Sequence, residues 1–217
     1  EAAIRAKDVN ETQHTISFTL IFAGESIPIH LNCHGRFMVS NALAAAAVGY
    51  QTGLSCETVK TGIEAFKPVS GRMNIKHMPG GIHLIDDTYN ANPESMKAAF
   101  ATLNTLRAGA RGVVVIGDML ELGAQAQSLH RKVGARAARL GICRLYAYGE
   151  FAAEVSAGAQ DQGMQPTDTF EGTHDEIVED LKNWLQPGDW LLVKGSRGMA
   201  MEKVVRKLQK WAGEKKS

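Results

Sequence analysis

The most unusual stretch of the chain joins an apolar run to the start of a predicted helix. Two adjacent aspartates, Asp86 and Asp87, end the run, and Tyr89, Asn90 and Asn92 follow before the helix begins. A turn between a strand and a helix needs polar residues, but it does not need this set. A carboxylate at the end of a strand can accept hydrogen bonds from ribose hydroxyls, so the stretch is a candidate ligand site.

Three further polar clusters follow apolar runs. They are GDMLELG with Asp118 and Glu121, YGE, and KGSRG with Lys194, Ser196 and Arg197. Ligands of open α/β sheets lie outside the carboxyl ends of the strands, so we expect the four clusters to converge, with carboxylates facing basic groups. The KGSRG stretch is expected to run into a helix N-terminus, which suits a phosphate or a carboxylate. A plain polar loop is the alternative for each cluster taken alone.

The elements before these clusters predict a hairpin followed by two helices. The segments 15–22 and 26–31 alternate between apolar and polar residues and indicate paired strands. The alanine-rich stretch after them favours a helix that Gly53 closes, and Ser55 is a candidate cap for the next helix. We expect one face of that second helix to be apolar, formed by Val59, Ile63 and Phe66.

A stretch with proline and glycine, KPVSGR, then predicts a linker, after which the pattern changes. MNIKHM and IHLID around PGG predict a hairpin, and the apolar runs GVVVIG and DWLLVKG are typical of buried parallel strands. Asn92 with Pro93, and Thr173 with Glu176, predict capped helix starts. Strands that alternate with helices indicate an α/β fold with a mainly parallel sheet.

Composition excludes several classes of protein. The 217 residues are 44% hydrophobic and include 24 Lys+Arg against 23 Asp+Glu, so no basic excess indicates a nucleic-acid partner. The three cysteines form no CxxC pair, which argues against a zinc site and fits a reducing cytoplasm. No apolar run approaches the ~20 residues of a membrane span, so no membrane insertion is expected. The chain starts with glutamate, and we expect it to be a piece of a longer protein.

Three familiar phosphate chemistries lack their motifs. A haloacid-dehalogenase-type phosphatase needs Asp-x-Asp after its first strand. Here Thr88 stands two residues after Asp86, and Tyr89 stands two residues after Asp87, so that motif is absent. Met119 occupies the second glycine position of a dinucleotide fingerprint after the GVVVIG run. No G-x-x-x-x-G-K-[ST] phosphate loop occurs anywhere in the sequence.

Five stretches together resemble the Mur ligase family. They are, in chain order, GRFMVSNALAAAA, SGRM, LIDDTYNANPESMKAA, VIGDMLELG and LVKGSRGMAME. The resemblance covers nearly the whole chain and is weak before residue 15. DDTYNANP with SM, and GDM with ELG, resemble the member of the family that adds D-alanyl-D-alanine to UDP-N-acetylmuramoyl-tripeptide.

The resemblance implies both a fold and a reaction. Residues 1–67 would be the tail of the central ATPase domain, a hairpin plus helices, and residues 71–217 a Rossmann-like C-terminal domain. In such ligases ATP phosphorylates the tripeptide carboxylate, and the amine of the dipeptide attacks the acyl phosphate. The phosphate loop and the Mg²⁺ ligands would lie upstream, so the chain alone would be inactive, with no catalytic residue or metal site. The family also implies a cytoplasmic monomer whose partners are ATP, UDP-N-acetylmuramoyl-tripeptide and D-alanyl-D-alanine.

The resemblance implies ATP contacts at three residues of this chain. Asn41 matches an asparagine that contacts adenine, Arg72 an arginine that reaches the ATP phosphates, and Asp87 the aspartate that holds the ribose. The family usually has His-Asn where this sequence has Phe37 and Met38, so contacts from those two positions are not carried over.

Other matched residues are assigned to the second substrate or to support. Asn90 and Asn92 match a motif near the reacting groups, although Asn92 also suits a helix cap. The matches to the loop assigned to the incoming dipeptide are Lys194, Ser196 and Arg197. The free carboxylate of the dipeptide suits Arg197. Asp118 and Glu121 are expected to order their loop and to set the charge of the cleft, and Asp86 to support its turn.

Two alternatives stay open. One is another amide ligase of the same superfamily, such as a folylpolyglutamate or cyanophycin-type enzyme. The other is a stand-alone nucleotide- or peptide-binding module without catalysis, which a phosphate loop upstream of this chain would exclude.

Overall fold

The computed structural model describes residues 2–12 and 15–214, which divide into two compact units, Glu1–Pro68 and Val69–Ser217. The division falls within the KPVSGR stretch. Each unit buries an apolar core of its own. In the described part of the chain, no helix combines the length and the apolar character that crossing a membrane requires.

The first unit is an antiparallel sheet with two helices. Its elements are β1 (Ile4–Glu11), β2 (Ile16–Phe22), β3 (Glu25–Leu31), α1 (Phe37–Gln51) and α2 (Cys56–Glu64). The strands pair in the order β1-β2-β3, which confirms the predicted hairpin and adds a strand that the sequence did not indicate. That strand, β1, is partly exposed and largely polar, so it lacks the regular alternation from which strands are predicted.

The helix boundaries of the first unit follow local signals. Gly53 has a φ of 77° just after α1, in the left-handed region that glycine adopts without strain. The Ser55 hydroxyl accepts a hydrogen bond from the Thr58 amide at 3.2 Å and caps α2. The prediction that Phe66 belongs to the buried face was wrong: α2 ends at Glu64, and the Phe66 side chain is 41% exposed. The helix stops too early to carry Phe66 around to the core.

The second unit alternates strands and helices, as predicted. Its elements are β4 (Asn74–Met78), β5 (Ile82–Asp87), α3 (Pro93–Arg107), β6 (Gly112–Gly117), α4 (Ala126–Arg139), β7 (Arg144–Tyr148), α5 (Ala152–Gln160), β8 (Thr169–Glu171), α6 (His174–Trp184), β9 (Trp190–Lys194) and α7 (Glu202–Glu214). The sheet order is β4-β5-β9-β6-β7-β8. Only β4 pairs antiparallel in this sheet, so the expectation of a mainly parallel sheet is confirmed.

Helices cover both faces of this sheet. Along β6, Val114 and Ile116 pack into the core cluster that contains the buried side chains of α3, α4 and α5. Val113 and Val115 belong to the cluster that contains those of α6 and α7. Alternate residues of one strand point to opposite faces, so an unbroken apolar run can fill both layers.

The helix α5 was not predicted. It packs against α4 so closely that a β-carbon added at Gly134 or Gly158 would overlap a carbonyl oxygen of the facing helix. Small residues rather than large apolar ones make this contact, so α5 carries little of the periodic pattern that indicates a buried helix.

Both cysteines of the first unit are buried, and burial raises the pKa of each thiol. Burial, followed by the charge of Glu11, raises the pKa of Cys33 to about 11. At pH 8 its thiolate fraction is then about 100-fold below that of a thiol with the ordinary value near 9, and the thiolate is the reactive form. We therefore expect Cys143, which is only partly buried, to react first with a chromogenic disulfide reagent at pH 8.

The check is the time course of labelling in buffer and in denaturant. Cys143→Ser should remove the fast phase, and Cys33 should react only as fast as the protein opens. A fast phase that survives Cys143→Ser would contradict this expectation.

Candidate functional site

The four predicted polar clusters lie at one edge of the sheet. The strands β5, β9, β6 and β7 are parallel neighbours in that order, so their carboxyl ends share this edge. We call the loops that leave these ends, residues 88–92, 118–121, 149–151 and 195–200, the rim. The expected convergence is therefore confirmed, because the sheet order places loops from distant parts of the sequence side by side.

A buried ion pair joins two of these strand ends. Lys194 and Asp87 are register partners on β9 and β5, and their Nζ and Oδ2 atoms are 2.6 Å apart. The Lys194 ammonium also donates to the Asn90 carbonyl at 2.8 Å, and the other Asp87 oxygen accepts from the Met73 amide at 3.1 Å. The Lys194 side chain is 2% exposed and that of Asp87 is 13% exposed. Asp87 is thus held rigidly at the surface edge of the pair, and its oxygens retain lone pairs for a ligand.

The neighbouring aspartate has a separate, local role. The Asp86 carboxylate accepts a 2.7 Å hydrogen bond from the Thr88 hydroxyl and lies 3.0 Å from the Lys76 ammonium. Asp86 therefore supports the turn after β5, as the sequence indicated. The expectation that all the carboxylates face Lys194 and Arg197 was wrong for Asp86. Its basic partner is Lys76 on β4.

Asp118 is used in an interaction with backbone amides. Its two oxygens accept from the amides of Glu150 and Phe151, at 2.7 and 3.2 Å, at the start of α5. A β-carbon added at Gly149, which has a φ of 126°, would overlap this carboxylate. The negative charge of Asp118 is favourable there, because the N-terminus of a helix carries partial positive charge. The two hydrogen bonds also join the loop after β6 to the loop after β7.

The loops after β6 and β9 are joined by Ser196. Its amide donates to the Asp118 carbonyl, and its hydroxyl accepts from the Leu120 amide, both at 2.9 Å. The same hydroxyl donates to the Ala91 carbonyl at 3.2 Å, so Ser196 contacts two other rim segments, 88–92 and 118–121, from a buried position. A β-carbon added at Gly195 would lie 3.0 Å from the Gly117 α-carbon, so glycine permits this close approach.

Arg197 is exposed, whereas Lys194 and Ser196 are buried. Its side chain is 67% exposed, and the nearest carboxylate is that of Glu202 at 3.7 Å. The loop leads to the start of α7, as predicted, but through an intervening turn. Residues Arg197–Met199 form a short 3-10 turn, Ala200 adopts a left-handed conformation, and α7 starts only at Glu202. The guanidinium of Arg197 is thus an exposed cation of this loop that an anion could reach from solvent.

His174, at the start of α6, holds the far end of this loop. Its Nε2 atom donates to the Met199 carbonyl at 3.0 Å, and its ring packs on Tyr148 with centroids 4.1 Å apart. Burial lowers the pKa of His174 below its ordinary value, and the charges of Lys203 and Lys207 add to this effect, although the hydrogen bond to the Met199 carbonyl opposes it. The ring is therefore neutral near pH 7, and Nε2 carries the proton because a carbonyl can only accept.

A buried histidine that the sequence analysis missed supports the loop after β6. His130 on α4 accepts from the Met119 amide through Nε2 at 2.9 Å and contacts the Ala126 carbonyl through Nδ1 at 2.7 Å. Its ring stacks on Phe151 with centroids 4.7 Å apart. The signal was its spacing: His130 stands three residues before Val133, on the buried stripe of α4.

Arg72 lies beside the aspartate stretch. Its guanidinium carbon is 4.2 Å from the centroid of the Tyr89 ring, a cation–π contact, and the Tyr89 amide donates to the Gly71 carbonyl at 2.9 Å. Gly71 has a φ of 75°, and a β-carbon there would lie 3.2 Å from the Thr88 hydroxyl oxygen. Glycine thus allows the chain to turn so that Arg72 lies on Tyr89.

The remaining candidates of this unit sit at the rim in different ways. Asn92 caps α3, since its side-chain oxygen accepts from the Ser95 amide at 2.8 Å. This cap is a structural role that explains an asparagine at this position. Asn90 is exposed, and its side-chain oxygen accepts from the next amide at 2.9 Å. Glu121 is exposed and has a φ of 64°, so its backbone turns the loop in a conformation that costs a non-glycine residue about 1 kcal/mol.

Asn41 belongs to the first unit. It lies on the exposed side of α1, and its amide nitrogen is 3.5 Å from the Met38 sulfur. Asn41 is thus accessible to a ligand from solvent. Phe37, one of the two residues that depart from the family pattern, is also exposed.

A metal ion needs several carboxylate, histidine or cysteine side chains close together. Within residues 2–12 and 15–214, no three carboxylate, histidine or cysteine side chains come together closely enough to hold a metal ion. Mg²⁺ is commonly bound by one or two carboxylates together with substrate phosphates.

Comparison with known proteins gives consistent results. The family "Mur ligase, glutamate ligase domain" matches residues 71–197, more than half of the chain. The chain is 36% identical over 206 residues to the UDP-N-acetylmuramoyl-tripeptide–D-alanyl-D-alanine ligase of Escherichia coli, covering 94% of this chain and 44% of that protein. It thus spans less than half the length of this curated relative.

Solved structures show the same fold. A crystal structure of MurF from Acinetobacter baumannii superposes with a TM-score of 0.83 at 30% identity, over 96% of this chain and 46% of that one. MurF ligase from Thermotoga maritima, solved in complex with ADP, gives a TM-score of 0.81 at 20% identity, over 99% and 48% of the two chains. With the matched family domain and the rim geometry, these likenesses show that the chain belongs to the Mur ligase family.

Proposed function

We propose that this chain carries the ribose- and dipeptide-binding part of the ligase that adds D-alanyl-D-alanine to UDP-N-acetylmuramoyl-tripeptide. The observation that supports this most is the rim itself. The buried Lys194, at the end of β9, holds Asp87 in place at the end of the adjacent strand β5. The exposed Arg197 lies in the loop that follows Lys194. A fixed carboxylate for sugar hydroxyls and a free cation for a carboxylate thus stand at one sheet edge.

The reaction has two steps in this proposal. The tripeptide carboxylate takes the terminal phosphoryl group of ATP, which forms an acyl phosphate and ADP. The amine of the dipeptide then attacks the acyl carbon, loses a proton and displaces phosphate. The phosphate loop and the Mg²⁺ ligands would come from a part that the relatives have in addition, so the chain alone would not turn over. We place the reaction in the cytoplasm, where free cysteines such as these stay reduced.

The rim favours a division of labour among its residues. Asp87 would accept hydrogen bonds from the ribose, and Arg72 would contact the ATP phosphates. Arg197 would pair with the dipeptide carboxylate, for which a planar guanidinium is suited. Lys194 and Ser196, both buried, would act mainly by positioning Asp87 and the Arg197 loop, although each retains hydrogen-bonding capacity toward a substrate.

Phosphate release tests the proposal. The assay contains ATP, Mg²⁺, UDP-N-acetylmuramoyl-tripeptide and D-alanyl-D-alanine, with this chain in one arm and the longer protein in the other. We expect release and pentapeptide only in the longer protein. Turnover by the 217-residue chain would show that the domain assignment is wrong. A longer protein that accepts glutamate but not the dipeptide would favour the other amide ligases, and one that only binds would favour a non-catalytic module.

The same assay separates the roles of the two arginines. Arg197→Ala should raise the KM for D-alanyl-D-alanine at least tenfold and leave the KM for ATP unchanged, since a charge-assisted pair is worth about 1.5–3 kcal/mol. Arg72→Ala should change the ATP parameters instead. Arg206→Ala, an exposed arginine on α7, is the control and should change neither. If Arg72→Ala left both the ATP KM and kcat unchanged, its assigned role would be wrong.

A further inference from the structure

One apolar side chain of the rim has no role so far. Among the described residues of the second unit, the large apolar side chains that stay exposed are those of Val69, Tyr89 and Leu120. Two of them, Tyr89 and Leu120, lie at the rim, and the guanidinium of Arg72 covers the Tyr89 ring. The Leu120 side chain is 44% exposed in the loop that follows β6. The Leu120 side chain therefore offers apolar surface to a ligand at a mostly polar rim.

Leu120 is held in a fixed place beside Arg197. Its amide donates to the Ser196 hydroxyl at 2.9 Å, and its side chain lies against Gly198. A β-carbon added at Gly198 would be only 2.8 Å from the Leu120 Cδ1 atom. Leu120 thus contacts the residues on both sides of Arg197. The rim thus presents the isopropyl end of Leu120 against the short segment that carries the exposed Arg197.

This pair of groups matches the chemistry of one end of the proposed substrate. In the second alanine of a dipeptide, the methyl carbon and the carboxylate carbon are bonded to the same α-carbon and lie about 2.5 Å apart. A carboxylate held by Arg197 therefore brings the methyl group within reach of groups that flank the arginine. An apolar surface there would favour a methyl group, whereas a polar loop would be indifferent to it.

We propose that Leu120, backed by Gly198, is a specificity-determining residue that contacts the methyl group of the second residue of the incoming dipeptide. The inference rests on the proposed function and goes beyond it, because it names the group that discriminates between dipeptides. Gly198 contributes by leaving room for the leucine, so a side chain at Gly198 would displace Leu120.

The test is the ratio of kcat/KM for D-alanyl-D-alanine to kcat/KM for D-alanyl-glycine, which lacks only that methyl group. A pocket that contacts one carbon group discriminates by about 10–200-fold. We expect Leu120→Ala to lower the ratio at least fivefold, with the KM for ATP unchanged. Gly198→Ala should lower the ratio in the same direction, because the added methyl group moves Leu120. The matched control is Leu54→Ala, a leucine that is 46% exposed in the first unit, which should leave the ratio unchanged.

The ratio separates a contact from a structural effect. A variant that only distorts the loop lowers both values of kcat/KM together and keeps their ratio, and that result would overturn the proposal. If the unsubstituted longer protein makes no pentapeptide, the proposed function fails and the inference falls with it. If it makes pentapeptide and the ratio does not respond to Leu120→Ala, the inference alone fails.

Discussion

Gly158→Ala is expected to destabilise the second unit by about 3 kcal/mol or more, at the upper end of what overpacking costs. A β-carbon at Gly158 would overlap the carbonyl of Arg131 on α4, and one at Gly134 would overlap the carbonyl of Val155 on α5. Both obstacles are backbone atoms, which cannot change rotamer, so the two helices must move apart. Their separation would open the core cluster to which Val133 and Val155 belong.

The melting temperature should fall by roughly 6–12 °C, since a domain of this size loses about 2–4 °C for each kcal/mol. The measurement is thermal and urea unfolding followed by circular dichroism. The double variant Gly134→Ala/Gly158→Ala should cost less than the two single variants together, because one separation of the helices relieves both overlaps.

A glycine with open space is the matched control. Gly213 lies in α7, and a β-carbon there would meet nothing within 4 Å. Gly213→Ala should be neutral or should stabilise by up to about 1 kcal/mol, as expected for alanine in a helix. A Gly158→Ala protein that melts within a degree of the unsubstituted one would show that α4 and α5 are not packed as described.

Lys194→Met is the substitution with the largest expected effect on the site. It removes the ammonium that Asp87 and the Asn90 carbonyl share and leaves the Asp87 carboxylate with the Met73 amide. Removing one partner of a buried ion pair typically costs about 3–5 kcal/mol, because the other charge stays buried and uncompensated. We expect about 3 kcal/mol by urea unfolding, since Asp87 keeps some exposure to water.

A double-variant cycle isolates the pair. Asp87→Asn with Lys194→Met removes both charges, and it should be markedly less destabilised than the sum of the single variants. Lys182→Met, which breaks an exposed ion pair with Glu179 on α6, should cost less than about 1 kcal/mol. Additive effects at Asp87 and Lys194 would mean that the two charges do not stabilise each other.

Kinetics of the longer protein decide what Lys194 does for the reaction. If it positions Asp87, Lys194→Met raises the KM for ATP more than the KM for D-alanyl-D-alanine. A rise in the dipeptide KM alone would instead favour a direct contact with the dipeptide, as the family resemblance implies. A stability measurement alone would not distinguish these roles, so both parameters are needed.

The features that the sequence determined by itself are those encoded over a few residues. Asn92 and Thr173 cap their helices as predicted, because a cap involves only an amide three residues away. The continuous apolar runs of β6 and β9 indicated strands that are buried on both faces, and both are buried throughout. Parallel strands also imply that their loops share one edge, so the rim could be predicted before any contact was known.

Other features depended on how the elements pack. From the KGSRG stretch alone, Lys194 is expected to be a free basic group. In the structure it is buried against Asp87, which lies 107 residues earlier in the chain. Only the strand order, with β9 inserted between β5 and β6, makes these two residues register partners. The role of His130 and the packing of α5 also depend on other elements, which supply the loop amide and the backbone that they contact.

The sequence thus determined which residues stand at the rim, and the tertiary structure decided which of them remain accessible to a ligand. Periodicity and capping act between residues close in sequence, whereas the burial of a charge depends on what the sheet brings next to it. Arg197 and Lys194 are three residues apart, but one reaches into solvent and the other neutralises a carboxylate inside the fold. That difference follows from the neighbours of each strand end, which no local pattern specifies.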